Sequence, residues 1–177
     1  MKLELFGSHE QKDITEIDCE PRDLDLKSEN FSFEGSVHVV CMITGDEDVA
    51  QLRCEVSVPV LLQCTRCLDE FPGFVGREFS LVARKLRKGE AIPEHSDDDY
   101  NDDEDRLIYI DQEINTLDIT DYVRDAIILS IPLKPVCREN CRGLCSVCGH
   151  NLNERECGCK REISDPRWKD LSRLFNT

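Results

Sequence analysis
The residues of this chain best suited to chemistry are cysteines, and their spacing says which chemistry. Cys64-Thr-Arg-Cys67 is followed by Cys137, Cys141, Cys145 and Cys148, and then by Cys157-Gly-Cys159. These eight fall into four close pairs, while Cys19, Cys41 and Cys54 stand apart. Two thiolates a short step apart can point at one ion when the chain turns sharply between them. A tetrahedral Zn²⁺ takes two such pairs, so eight thiolates match two closed sites. Gly149, after Cys148, and Gly158, between Cys157 and Cys159, suit the backbone angles of such turns. Short loops cost least to close, which groups Cys145, Cys148, Cys157 and Cys159 around one ion. Cys64, Cys67, Cys137 and Cys141 are left for the other, which would staple the cysteine-rich tail to the rest of the chain.

Other chemistries use the same side chains. Cys64-x-x-Cys67 alone would suit a redox dithiol, and an iron–sulfur cluster takes similar ligands. The three further pairs favour structural zinc. His150, beside Cys148, reads as a loop residue, and His9, His38 and His95 lack a partner pattern. Two closed sites leave no coordination position for a substrate. The chain has no phosphate-cradling loop, no His-Glu-x-x-His and no nucleophile elbow. The expectation is a protein that is not an enzyme and has no small-molecule substrate.

Something must position these ligands. From Pro135 to Lys160 the apolar residues are few beyond Val136, Leu144, Val147 and Leu152. A structural zinc contributes about 10–16 kcal/mol in zinc-finger peptides, against about 5–15 kcal/mol for the stability of a whole domain. The tail is therefore expected to need metal to fold. Upstream, Ser36–Thr44 and Val49–Val58 alternate like strands around a turn at Gly45–Asp48, the second continuing past Pro59 towards Cys64. Phe74–Ala83 reads as one further strand. Cys41 and Cys54 fall inside strand patterns as small buried residues. Asp118 is placed to cap a helix whose apolar face is Ile119, Tyr122, Val123, Ala126, Ile127 and Ser130, and Pro132 ends it. A second short helix is expected from Asp165-Pro166, with Trp168, Leu171, Leu174 and Phe175 as its stripe.

The predicted fold class is α+β: an antiparallel sheet or partly closed β-barrel, one packing helix and a C-terminal zinc-ribbon-like cysteine cluster. Residues 1–134 form the β-rich core domain, with a mobile acidic loop over 89–105. Residues 135–177 form the metal-binding appendage and the short terminal helix.

Formal net charge is −15. From Leu133 onwards nine basic residues face six acidic ones, a charge of +3, which leaves −15 − 3 = −18 for the rest. Such acidity disfavours bulk binding to nucleic acid. The first residues lack a signal-peptide pattern, and no stretch is long and apolar enough to span a membrane. A cytoplasmic protein with reduced thiols and no membrane partner is expected.

The segments Gln63–Phe71, Asp125–Asn153, Cys157–Cys159 and Asp165–Arg167 together resemble the YceD family, whose bacterial members are described as large ribosomal RNA subunit accumulation proteins. The resemblance implies a non-enzymatic ribosome biogenesis factor that supports 23S rRNA synthesis, processing or accumulation. The gene in this family typically neighbours that of a small, basic, zinc-binding large-subunit ribosomal protein. Two modes of action follow. The acidic chain could hold a basic large-subunit ribosomal protein, or the tail could touch pre-ribosomal RNA through Arg138, Arg142, Arg155, Lys160 and Arg161. The alternative is a zinc-stabilised redox-sensing or regulatory adaptor, with Cys64 and Cys67 forming a reversible disulfide.

Overall fold
The computed structural model describes residues 1–6, 13–26, 31–87, 90 and 106–159. Among them are β1 (Lys2–Glu4), β2 (Asp13–Cys19), β3 (Phe31–Phe33), β4 (Val37–Gly45) and β5 (Val49–Gln63). There follow β6 (Glu70–Val75), β7 (Glu78–Lys85), β8 (Arg106–Ile110), β9 (Thr116–Asp118) and α1 (Thr120–Ser130). A 3₁₀ turn lies at Pro21–Leu24. The chain divides into two compact units, the first formed by Met1–Leu62 and Phe71–Leu133. The second takes Gln63–Glu70 together with the chain from Lys134 onwards.

The expected hairpin is the centre of the first unit. β4 and β5 alternate strictly, so Val37, Val39, Cys41 and Ile43 meet Ala50, Leu52, Cys54, Val56, Val58, Val60 and Leu62 in the core. The Asp46 carboxylate closes the turn by accepting the N–H groups of Asp48 and Val49, each at 2.9 Å. The main sheet runs β2-β4-β5-β7-β8, and β3 and β6 pair with β5 off that path. β1 and β9 make a separate two-stranded sheet.

Four expectations need correction. The sheet is not wholly antiparallel, because β8 runs parallel to β7. A parallel neighbour requires a long crossover, and residues 86–105, with the acidic run, are that connection. Among the described residues the sheets are open, with β2 and β8 at the ends of the main one, so there is no partly closed barrel. Phe74–Ala83 is two strands, broken at Gly76. A Cβ there would lie 1.9 Å from the Val56 carbonyl oxygen, so the chain passes this point only as glycine. Cys41 and Cys54 are wholly buried as expected, but they face each other in the β4–β5 register and form a disulfide.

Helix α1 starts just past the expected cap. Ile119 is the boundary residue, while Asp118 still accepts the Thr120 N–H at 3.0 Å. Ile119, Val123, Ala126 and Ile127 are buried with the sheet residues of the core, and Tyr122 stacks on Phe79 with ring centroids 6.2 Å apart. Ile131 turns extended before Pro132. The acidic loop, apart from Glu90, and the helix expected from Asp165 lie outside the described residues.

Candidate metal centre
The second unit is built on turns. Outside the ends of β5 and β6, the regular pairing among its described residues is an isolated bridge between Leu144 and Asn151. The expected cysteine cluster is present, and among the described residues no strand ladder of a ribbon accompanies it.

Cys64-Thr-Arg-Cys67 and Cys145-Ser-Val-Cys148 fold into the same knuckle. In each, the first cysteine carbonyl accepts the N–H four residues on, Leu68 at 2.9 Å and Gly149 at 2.8 Å. In each, the first sulfur accepts the N–H two residues on, from Arg66 and from Val147, both at 3.4 Å. Each knuckle then closes through a left-handed residue, Leu68 with φ 64° and Gly149 with φ 71°. Gly149 thus does what its position suggested, whereas Gly158 keeps a negative φ.

The sulfurs converge in the grouping read from loop lengths. Cys64, Cys67, Cys137 and Cys141 place their Sγ atoms within 4.8 Å of one another, and so do Cys145, Cys148, Cys157 and Cys159. Sulfurs about 2.3 Å from one tetrahedral ion stand about 3.8 Å apart. The separations of Cys64 from Cys141, 3.8 Å, and of Cys67 from Cys137, 3.7 Å, fit that spacing. Three of the first four cysteines are buried, whereas Cys148 and Cys159 in the second tetrad are exposed.

Backbone amides prepare both tetrads for a cation. Burial works to raise the Cys64 thiol, but the N–H groups of Cys137, Cys67 and Arg66 outweigh it and bring it down to about 6. The Cys148 and Val147 amides bring Cys145 to about 6. Burial pushes Cys67 up. Sharing protons with Cys148 and Cys157 raises Cys159 to about 12. Cys64, Cys141 and Cys145 are thus shifted towards the thiolate, the form that binds a metal ion, and binding would displace the remaining thiol protons to solvent.

Polar side chains that the cysteine pattern did not reveal brace the sulfurs. Asn153 Nδ2 donates to Cys141 Sγ at 3.3 Å and to Asn151 Oδ1 at 2.9 Å. Asn151 donates to Asp69 at 2.7 Å, tying the two knuckles together. Arg66 reaches the carbonyls of Glu139 and Cys141, both at 3.1 Å. Single asparagines have no spacing signature, so only the fold shows their role. His150 is not in either tetrad; it accepts from Arg155 Nε at 3.2 Å.

The described cationic candidates differ in their partners. Arg142 pairs with Glu156 at 2.9 Å and Arg155 is bonded to His150, while Arg138 is exposed. Lys160 and Arg161 lie outside the described residues.

Fold and site together define a β-rich protein with one packed helix among its described residues and two cysteine tetrads positioned to hold metal ions. Residues 52–175 match the family described as Large ribosomal RNA subunit accumulation protein YceD, and the chain belongs to that family. It is 32% identical over 153 residues to an uncharacterized protein of Mycobacterium tuberculosis, covering 86% of this chain and 61% of the relative. It is 38% identical over 77 residues to the chloroplastic YCED homolog 1 of Arabidopsis thaliana, covering 44% of this chain and 24% of the relative. The Zea mays homolog of the same name is 30% identical over 123 residues, covering 59% and 42%. The chain spans about three fifths of the length of the mycobacterial relative. No solved structure matches it.

Proposed function
We propose that this chain is a non-catalytic ribosome biogenesis factor, stabilised by two Zn²⁺ ions, that holds a basic large-subunit ribosomal protein during 23S rRNA accumulation. The family description supplies the ribosomal context. The observation that carries the protein-binding form is the charge distribution. The net charge of −15 repels phosphate and attracts a basic polypeptide. Two of the three described arginines considered for RNA contact are engaged inside their own unit, which weakens the RNA reading.

Zinc is favoured over a cluster because each sulfur on a cubane binds a different iron, whereas these sulfurs are close enough to share one ion. The redox reading gains no support, since Cys64 and Cys67 each lie near a cysteine of the 137–141 pair. A reduced compartment such as the cytoplasm suits the unpaired thiols. The Cys41–Cys54 bond can persist there because both sulfurs are wholly buried, out of reach of thiol exchange. No described helix is long and apolar enough to cross a membrane.

The test is retention of purified large-subunit ribosomal proteins on the immobilised, zinc-loaded chain. One or more basic proteins should be held at moderate salt and released at high salt. Retention of none overturns the proposal.

A further inference from the structure
We propose that the water-facing side of the main sheet is a docking surface for an arginine- and lysine-rich polypeptide segment. This rests on the reading of a basic protein client and adds where the client is gripped.

Strand register fixes the surface. Residues that alternate with the core positions of β2, β4, β5 and β7 face away from the core. Pairing sets Glu16 beside Val40, Val40 beside Glu55, and Glu55 beside Glu78, so three carboxylates share one row across four strands. Neighbouring strands lie about 4.8 Å apart, which puts Glu16 about 10 Å from Glu55 and Glu78 about 5 Å from it. Like charges directly opposite each other destabilise a sheet. Among the described residues none of the three has an ion pair. The next row sets Asp18 beside His38, where Asp18 Oδ1 lies 2.9 Å from His38 Nδ1.

At its β7 end the row meets a groove of about 370 Å³ lined by Glu55, Ser57, Phe74, Arg77 and Glu78. Phe74 is 80% exposed, which is unusual for an aromatic side chain with no partner. An aromatic face beside two unneutralised carboxylates takes a guanidinium or ammonium, through cation–π attraction and charge-assisted hydrogen bonds. Arg77 and Arg53 are the cations nearby, and the carboxylates outnumber them. The row also makes itself felt at His38, whose pKa is raised by the bond to Asp18 and further by the charges of Glu16 and Glu55. Phosphate would be repelled here, so a basic peptide fits and a nucleic acid does not.

The experiment uses the full zinc-loaded chain and two probes, a short alternating arginine–glycine peptide and purified large-subunit ribosomal proteins. Added peptide should move the NMR signals of Glu16, His38, Glu55, Phe74 and Glu78 and lower the His38 titration midpoint towards its ordinary value. Glu55→Gln with Glu78→Gln, and separately Phe74→Ala, should weaken the peptide about tenfold. Asp121→Asn with Asp125→Asn, which removes equal charge from helix α1, should change it about twofold or less. Signals moving elsewhere, equal losses in both charge variants, or binding of a uridine oligonucleotide at this face would overturn the proposal. If the wild type retains ribosomal proteins and the Glu55/Glu78 variant retains them equally, the face is wrong and the client reading stands. If peptide binds here but no ribosomal protein is retained, the face stands and that client reading falls.

Discussion

At the scale of single residues, the two knuckles offer a comparison inside one molecule. Gly149 and Leu68 occupy equivalent positions with nearly the same left-handed φ. A side chain there costs about 1–2 kcal/mol, and Leu68 recovers little by packing because it is 54% exposed. Leu68→Gly should therefore stabilise the zinc-loaded protein by about 1 kcal/mol in denaturant unfolding, a gain trimmed by the freedom glycine adds to the unfolded chain. A loss on that substitution would mean that Leu68 is held by something other than the turn. The eight cysteines and their grouping were legible in the sequence, because ligand spacing is a local property of the backbone. The bracing asparagines were not. Asn151 meets Asp69 only across 82 residues of chain, and Asn153 reaches Cys141, 12 residues away, only once the turns between them have folded.

At the scale of elements, legibility followed periodicity. The β4–β5 hairpin and helix α1 carry strong two-residue and 3.6-residue patterns, and both appear close to their expected bounds. β2 was missed, since an edge strand reading Asp-Ile-Thr-Glu-Ile-Asp-Cys with few buried positions has little apolar signal. The parallel direction of β8 was illegible for a different reason. Direction is set by where the crossover returns the chain, and side-chain alternation looks the same either way. The break at Gly76 hid because Phe74 to Ala83 alternates across it. Gly76→Ala forces a methyl against the Val56 carbonyl oxygen. It should destabilise the first unit by about 2–4 kcal/mol in thermal or denaturant unfolding, within the range of severe backbone clashes. Unchanged stability would show that the β6–β7 corner can shift freely.

At the scale of the whole molecule, the two units rely on different forces. The first has a continuous apolar core and a buried disulfide. The second has few buried apolar residues besides its cysteines. Adding a strong chelator should therefore erase the second unit's NMR dispersion and leave the strand signals of the first in place, since binding energy of about 10–16 kcal/mol is lost from one unit only. Retention of both sets of signals would show that metal does not hold the second unit together.

The span between Cys67 and Cys137 contains β6, β7, β8, β9 and α1. A chain emerging from the ribosome exposes Cys64 and Cys67 early, yet the fourth sulfur of that tetrad arrives only with Cys141. A nascent polypeptide stopped short of Cys137 presents half of this tetrad, so a metal ion held by all four sulfurs would report that translation has passed through the whole sheet and helix.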